Sequence, residues 1–161
     1  MFESLMQMFR DVAGDSDDSN VFSDGDHRVA AAALLVHLIA IDGVIEPEEQ
    51  AKMRDILKQR FSLSDSDTSD LIAVASKRDD EAVDLYSFTS KLKHQLDEEG
   101  RIEIIEMMWE LVFADGKIHE FEDNLVWRVS ELMGVSRRDR IRTRQNVQAQ
   151  NELDQTEMGD G

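Results

Sequence analysis

Apolar side chains recur at helical spacing along almost the whole chain, and no segment shows the alternation of apolar and polar residues that is typical of a strand. Residues 28–41 are nearly apolar all round, which is the pattern of a central buried helix. Residues 98–113 carry an apolar stripe on one side and a row of glutamates on the other. The pattern predicts an all-α fold, a single compact bundle of about seven helices.

Helix-ending and helix-capping residues place the boundaries of these elements. Gly can close a helix in the left-handed conformation, Pro suits the first helical position, and Ser is a common N-cap. By these rules we expect helices over residues 28–41, 47–60, 65–76, 80–96, 98–113 and 120–133, and from Ser136 into Val147.

Composition divides the chain into four parts: an N-terminal amphipathic helix (1–14), an acidic linker (15–26), a helical domain (27–145) and an acidic tail (146–161). Residues 148–161 hold four acids and no base, which predicts disorder. The first helix could pack back onto the domain, bind a partner protein or lie on a membrane surface. Its polar face lacks the row of Lys and Arg that anionic lipid favours, so peripheral membrane contact is the least expected of the three.

One short motif occurs twice, at residues 42–49 and 115–122, and both copies read D-G-x-I-x-x-x-E. The copies are 73 residues apart, and the flanking apolar positions match in the same register. Two repeats are too few for a solenoid, whose shared core needs about three or more. The motif therefore predicts an internal helix-turn-helix duplication, with residues 28–60 and 101–133 superimposable.

The spacing of this motif overlaps that of the EF-hand calcium loop, which has Gly at position 6 and a bidentate Glu at position 12. Positions 1 and 3 of such a loop must supply oxygen ligands, and in the first copy they are Leu38 and Ala40. In the second copy they are Leu111 and Phe113. Apolar side chains cannot coordinate a hard cation, so a true EF-hand is excluded.

Two interpretations of the repeated motif remain open. In one, Asp and Gly close the first helix, Ile anchors the loop and Glu caps the next helix, without any metal. In the other, Asp42, Glu49, Asp115 and Glu122 converge as oxygen ligands of Ca²⁺ or Mg²⁺. A single turn has too few carboxylates for strong binding, so the second interpretation requires the two turns to approach each other.

Five arginines form the one basic cluster of the sequence: Arg137, Arg138, Arg140, Arg142 and Arg144. They either pair with neighbouring acids or form a docking site for an acidic partner protein. The glutamate row of residues 98–113, which is Glu103, Glu106 and Glu110, is expected to be a solvated face. The four histidines show no metal-ligand spacing, and His37, in an apolar helix, is expected to be a hydrogen-bonded core residue.

The formal net charge of −17 over 161 residues argues against a nucleic-acid partner, because phosphates would be repelled. The absence of cysteine excludes disulfides and thiolate metal sites, and it fits a reducing compartment. The longest apolar stretch has 13 residues, whereas a membrane-spanning helix needs about 20. Residues 1–14 lack the basic and then apolar order of a secretory signal. We expect a cytoplasmic protein with no integral membrane segment.

The two D-G-x-I-x-x-x-E motifs, each following an apolar helix, together with residues 132–136, resemble the TerB-like family of bacterial tellurite-resistance and stress proteins. The resemblance covers roughly residues 27–145, and the order and spacing of the two motifs make it specific. It implies a compact all-helical domain and no demonstrated enzymatic activity. It also implies a divalent-cation site at acidic residues of the turns, which carries over to the four motif acids named above.

The sequence contains no nucleophile elbow, phosphate-binding glycine loop or Ser-His-Asp order, so catalysis has no positive support. The first hypothesis is a non-enzymatic stress or tellurite-resistance module that binds a divalent cation at its twin turns and acts through an unknown protein partner. The alternative is a metal-independent helical scaffold that binds its partner through the N-terminal helix or the Arg cluster. A metal-dependent hydrolase built on the same carboxylates would lack an evident general base or nucleophile.

Overall fold

The structure, a computed structural model, describes residues 22–23, 25–41, 45–114 and 120–159. Within these ranges there are seven helices and no strand, so the predicted all-α bundle is confirmed. The helices are α1 (His27–Ala40), α2 (Pro47–Arg60), α3 (Asp65–Glu81), α4 (Tyr86–Gln95), α5 (Glu98–Val112), α6 (Glu120–Leu132) and α7 (Arg137–Gly159). The predicted N-terminal helix lies outside the described residues.

α1 is the central helix of the bundle, as its apolar pattern predicts. The four alanines from Ala30 to Ala33 are at most 2% exposed, and their small side chains allow close approach of the neighbouring helices. α3 packs most extensively on α1, and α2, α4 and α5 also contact it. Asp26 caps the helix, because its Oδ1 accepts a hydrogen bond from Arg28 N at 2.9 Å.

The core includes residues before α1, within the segment predicted to be an acidic linker. Phe22 is buried, and the guanidinium carbon of Arg28 lies 4.7 Å from the centroid of its ring. Gln95, at the end of α4, donates a hydrogen bond to the carbonyl of Gly25. The end of the predicted linker 15–26 is therefore attached to the core, because burial of one aromatic ring outweighs the polar composition around it.

The boundary between α3 and α4 differs from the predicted one. α3 continues to Glu81 instead of ending at residue 76, and α4 begins at Tyr86 instead of residue 80. Residues 77–81 contain no helix breaker, and α3 ends where Ala82 adopts extended backbone angles, φ −75° and ψ 136°. Residues 80 and 81, which were expected to begin α4, therefore belong to the last turn of α3.

α7 continues to Gly159, through most of the tail (146–161) that was predicted to be disordered. That prediction rested on acidic charge, whereas the Gln, Ala, Glu and Leu residues of this segment are good helix formers. Asn151 lies one turn after the buried Val147 and donates from Nδ2 to Phe113 O at 3.1 Å. This bond attaches α7 to the end of α5, so disorder is the wrong prediction for the described part of the tail.

The helix boundaries repeat along the chain. Moving α1 and α2 forward by 73 residues reproduces the limits of α5 and α6 to within two residues. α3 and α7 also correspond, because each begins directly after a capping serine and the two starts are 72 residues apart. α3 packs extensively on α1, and α7 packs extensively on α5. The duplicated unit therefore contains three helices, one more than the motif predicts, and α4 connects the two units.

Burial follows the same register in the two units. The buried residues Glu49, Met53 and Ile56 of α2 correspond to the buried residues Glu122, Val126 and Val129 of α6. The buried residues Leu71 and Ala75 of α3 correspond to the buried residues Thr143 and Val147 of α7. Equivalent faces of the repeated helices therefore point to the core, which supports the duplication.

Both units end their second helix in the same way. Ser62 and Gly134 have left-handed backbone angles, with φ 53° and 74°. In each case the next N–H donates to the carbonyl five residues back at 2.9 Å, as in a Schellman motif. Ser64 and Ser136 then cap the third helix, each accepting a backbone N–H at 3.1 Å on Oγ, as predicted.

Candidate functional site

Glu49 and Glu122, the last residues of the twin motifs, are buried carboxylates at equivalent positions. Each is the third residue of its helix, α2 or α6, and the residues are 8% and 7% exposed. Asp42 and Asp115 lie outside the described residues. The structure thus locates half of the predicted ligand set, and it gives the two located members the same place in their units.

A buried carboxylate is costly unless it is hydrogen-bonded, paired with a cation or bound to a metal. The first turn of a helix offers unsatisfied N–H groups and the positive end of the helix dipole, which favour a negative charge without any metal. Neither Glu49 nor Glu122 is without a partner. Carboxylate oxygens are also the ligands that Ca²⁺ and Mg²⁺ prefer. The burial of these residues is therefore compatible with both interpretations of the motif.

The two buried glutamates lie on helices that do not pack extensively on each other, α2 and α6. Among the residues that the structure describes, no three or more His, Cys, Asp or Glu side chains form a group that could hold a metal ion. The convergence of the two turns, which the metal interpretation requires, receives no support from the positions of these helices.

Each twin turn exposes one large apolar side chain. Ile45 is 49% exposed, although the metal-free interpretation of the motif expects it to anchor its loop. The inward positions at the start of α2 belong instead to Glu49 and Met53, which are buried. Phe121, in the first turn of α6, is 64% exposed. The anchoring role is therefore wrong for Ile45, and its counterpart Ile118 lies outside the described residues.

Arg140 is attached to the body of the domain. Its guanidinium carbon lies 4.4 Å from the centroid of the Trp127 ring, and its Nη1 donates to Trp127 O at 3.4 Å. The same nitrogen lies 3.5 Å from Glu131 Oε1. The side chain is only 11% exposed, so it is not available to a partner protein.

Two more arginines of the cluster pair with acids of their own domain. Arg142 Nη2 lies 2.8 Å from Asp139 Oδ1, and Arg144 Nε lies 3.7 Å from Asp123 Oδ1. Pairing with neighbouring acids, one of the two predicted alternatives, therefore accounts for these two residues as it does for Arg140.

The five arginines do not share one surface of α7. Successive residues of a helix are rotated by about 100°, so Arg138 and Arg142 face one side while Arg140 and Arg144 face another. Arg137 and Arg138 are exposed in the first turn of the helix. A docking surface for an acidic partner could therefore use Arg137, Arg138 and the partly exposed Arg142, but not the whole cluster.

The glutamate row of α5 faces Arg60, the last residue of α2, and it is partly solvated as predicted, because its three side chains are 48%, 37% and 28% exposed. Arg60 lies 3.6 Å from Glu103 and 3.4 Å from Glu106, and it is hydrogen-bonded to Glu110. Burial lowers the pKa of the Arg60 guanidinium, but the hydrogen bond to Glu110 and the charges of the three carboxylates raise the pKa overall. The row is thus part of a partly buried ionic network that joins two helices.

A polar groove of about 400 Å³ lies beside this network, between α2, α5 and α7. We name it the α2–α5–α7 groove. Its walls include Gln59 and Arg60 of α2, Glu106 and Glu110 of α5, and Asn146 and Gln150 of α7. No sequence motif indicates this groove, because its walls come from three helices that are distant in the chain.

The fold and the twin motifs define a class of protein: an internally duplicated, all-helical domain in which each copy carries an acidic turn. Over residues 28–145, the sequence matches the profile of the family described as tellurite resistance protein TerB. The chain belongs to the TerB family, as the resemblance predicts.

The crystal structure of a protein of unknown function from Porphyromonas gingivalis W83 has a similar fold, with a TM-score of 0.58 and 20% sequence identity. The similarity covers 79% of this chain and 97% of that chain, and at this identity it concerns the fold alone. No curated protein matches the sequence. Among the described residues, no helix has the length and apolar character that crossing a membrane requires.

Proposed function

We propose that the chain is a non-enzymatic TerB-family module that binds a divalent cation, Ca²⁺ or Mg²⁺, at its twin turns and acts by contacting another protein. Asp42, Glu49, Asp115 and Glu122 would supply the carboxylates. The observation that carries the proposal is the burial of Glu49 and Glu122 at equivalent positions of the two units. Both copies place a carboxylate, the kind of oxygen ligand that Ca²⁺ and Mg²⁺ prefer, at the same buried position.

The affinity for the cation is expected to be weak. Ca²⁺ takes six to eight oxygen ligands, and each motif supplies two carboxylates, so main-chain carbonyls and water would complete the site. Sites with few charged ligands bind Ca²⁺ with dissociation constants of roughly 10⁻⁴–10⁻³ M. Such a site responds to changes in ion concentration instead of holding the ion permanently.

The test is the melting temperature of the full chain with and without CaCl₂ or MgCl₂. A ligand that binds only the folded state stabilises it by about 2.7 kcal/mol at a hundredfold excess over its dissociation constant. We expect the melting temperature to rise with either ion, and the rise to disappear in the double variant Asp42→Asn/Asp115→Asn. Calorimetry should show saturable binding to the wild-type chain and none to this double variant.

The matched control is Glu98→Gln/Glu99→Gln, which removes two exposed acids from the first turn of α5 and changes the net charge equally. This variant should keep the response to the cation. A response that NaCl reproduces, or that survives in Asp42→Asn/Asp115→Asn, would be a general effect of the acidic surface. That result would exclude a cation site at the turns.

A second candidate function is a metal-independent scaffold, which two observations favour. The third helical position of Glu49 and Glu122 suits a helix cap without any ion, and α2 and α6 do not pack extensively on each other. Exposed Arg137 and Arg138 on α7, or the N-terminal helix, would then contact the partner. Capture of the same partner by wild-type chain in EDTA and in CaCl₂ would support the scaffold over the cation-dependent module.

A further inference from the structure

We propose that the α2–α5–α7 groove binds an extended peptide segment that carries an arginine or lysine side chain. The segment would belong to another protein. The described residues that line the groove include no member of the twin motifs and none of the exposed arginines of α7, so the proposal does not depend on cation binding.

The groove has the length of a short extended peptide. Its wall on α7 runs from Asn146 to Asp154, which at the helical rise of 1.5 Å per residue is about 12 Å. An extended chain advances about 3.3 Å per residue, so the wall spans about four peptide residues. The volume of about 400 Å³ is also within the range of small-molecule pockets.

The walls carry carboxamide groups that can hydrogen-bond to a peptide backbone. Gln59 and Asn146 line the groove, and their side-chain carboxamides make no hydrogen bond to any described residue. A carboxamide offers both a donor and an acceptor, as a peptide unit does. Asn151, another groove residue, already donates to a main-chain carbonyl, that of Phe113, at 3.1 Å. The side chain of Asn151 thus already makes the kind of hydrogen bond, from a carboxamide to a main-chain carbonyl, that we propose for the bound peptide.

The charge of the groove favours a basic side chain. Glu106, Glu110 and Asp154 line it together with Lys52 and Arg60. The Arg60 guanidinium is shared by three carboxylates of the α5 row, so it offsets only part of their negative charge. The three acids and two bases of the lining sum to a formal charge of −1. The whole chain carries a formal charge of −17, which attracts cationic segments from a distance.

The same charges disfavour two other occupants. Residues 1–21 hold five acids and one base, so this segment of the chain would be repelled from the groove. A second copy of the chain brings another charge of −17. A basic segment of a different protein is therefore the occupant that the groove fits best.

The test is an NMR titration of the ¹⁵N-labelled full chain with the capped heptapeptide Ala-Ser-Ala-Arg-Ala-Ser-Ala. We expect saturable shifts of the side-chain amide signals of Gln59, Asn146 and Gln150. The same peptide with a central Glu should not bind. A peptide N-methylated on both sides of the Arg should bind at least about tenfold more weakly, because backbone hydrogen bonds are lost.

The variant Asn146→Ala/Gln150→Ala should weaken binding of the Arg peptide by at least about tenfold. Gln145→Ala, an exposed position of α7 outside the groove, should leave it unchanged. Equal melting temperatures would show that each variant is folded. If the groove variant binds like the wild-type chain, or if the Glu or N-methylated peptide binds equally well, the proposal is overturned.

Two further outcomes would assign the groove to a different occupant and so overturn the proposal. One is tighter binding of a synthetic peptide of residues 1–21 than of the Arg peptide. The other is a dimer in analytical ultracentrifugation of the wild-type chain that Asn146→Ala/Gln150→Ala abolishes. A monomeric chain that does not bind the 1–21 peptide supports the proposal.

Discussion

His37 Nδ1 lies 3.0 Å from Asp79 Oδ1, which joins the central helix α1 to α3. The hydrogen bond that His37 donates to the Asp79 carboxylate raises the pKa of His37, and partial burial, which lowers the pKa, is the smaller effect. The sequence predicts a hydrogen-bonded core histidine: the hydrogen bond is present, but the side chain is 38% exposed, so the core location is wrong. In the second unit Asn151 takes the position of Asp79. It donates a hydrogen bond to the main-chain carbonyl of Phe113 instead of pairing with a side chain.

The His37–Asp79 pair should make stability depend on pH. The folded pKa of His37 lies above the unfolded value of 6.5. Its contribution is therefore fully present below 6.5 and is lost as the pH rises through the folded pKa. The side chain is 38% exposed, so solvent screening limits the contribution to about 1 kcal/mol or less.

Melting temperatures of the wild-type chain and His37→Gln measure this effect. The difference between them should be larger at about pH 5.5 than at about pH 8.5. His94→Gln, a change at an exposed histidine of α4, should show no such trend. A constant difference between wild type and His37→Gln across this range would contradict the prediction.

Leu35, which is 1% exposed in the centre of α1, should be essential for stability. Leu35→Ala removes buried methyl groups and leaves a cavity, so it should lower the free energy of unfolding by about 2–5 kcal/mol. Val83→Ala is the control, because Val83 is 100% exposed, and it should change the free energy by less than about 0.5 kcal/mol. Urea denaturation of the two variants gives both values, and similar values would argue against α1 as the core helix.

Asn151 should contribute to stability although it lies in the acidic tail. Asn151→Ala removes the hydrogen bond to Phe113 O, which should cost about 0.5–1.5 kcal/mol. Gln145→Ala, at an exposed position of the same helix, serves as the comparison. Hydrogen exchange provides a second measurement, since amides of residues 148–154 should be protected in the wild-type chain. Fast exchange there would return the tail to the predicted disorder.

Arg140 and Arg138 should behave differently although they are close in the sequence. Arg140→Ala removes the contact with the Trp127 ring and the bond to its carbonyl, and should cost roughly 1–2 kcal/mol. Arg138→Ala, at an exposed position, should leave the unfolding midpoint in urea unchanged. If Arg138 docks a partner, its replacement would affect partner binding and not stability, and equal destabilisation by both changes would contradict this division.

The parts of the fold that could be predicted from sequence depend on local patterns. The apolar run of α1 can only be buried, and the serine caps at Ser64 and Ser136 act within one turn of chain. The start of α4 could not be placed, because nothing between residues 77 and 81 stops α3. The polar residues around Phe22 predict a linker. The structure instead buries the Phe22 side chain, because one aromatic ring gains enough from burial to hold this segment on the core.

The candidate site was less predictable, because it depends on contacts between distant segments. Arg60 and the glutamates of α5 are far apart in the chain. The sequence therefore shows the row of glutamates but not that Arg60 forms ion pairs with it. The motif identified Glu49 and Glu122 as equivalent residues but could not indicate that they would be buried. It also could not show that α2 and α6 would lack an extensive contact.

The three-helix duplication makes this chain comparable to a dimer whose subunits are joined by α4. α1 packs against α5, its own counterpart, so the two copies are in contact as the subunits of a dimer are. In a true homodimer every surface occurs twice, because both subunits have the same sequence. In this chain the two copies are separate parts of one sequence, so a substitution in one copy leaves the other unchanged. Here one copy of the first helix is apolar all round and the other carries the glutamate row. A partner that recognises that row therefore meets it once, and would bind with a stoichiometry of one to one.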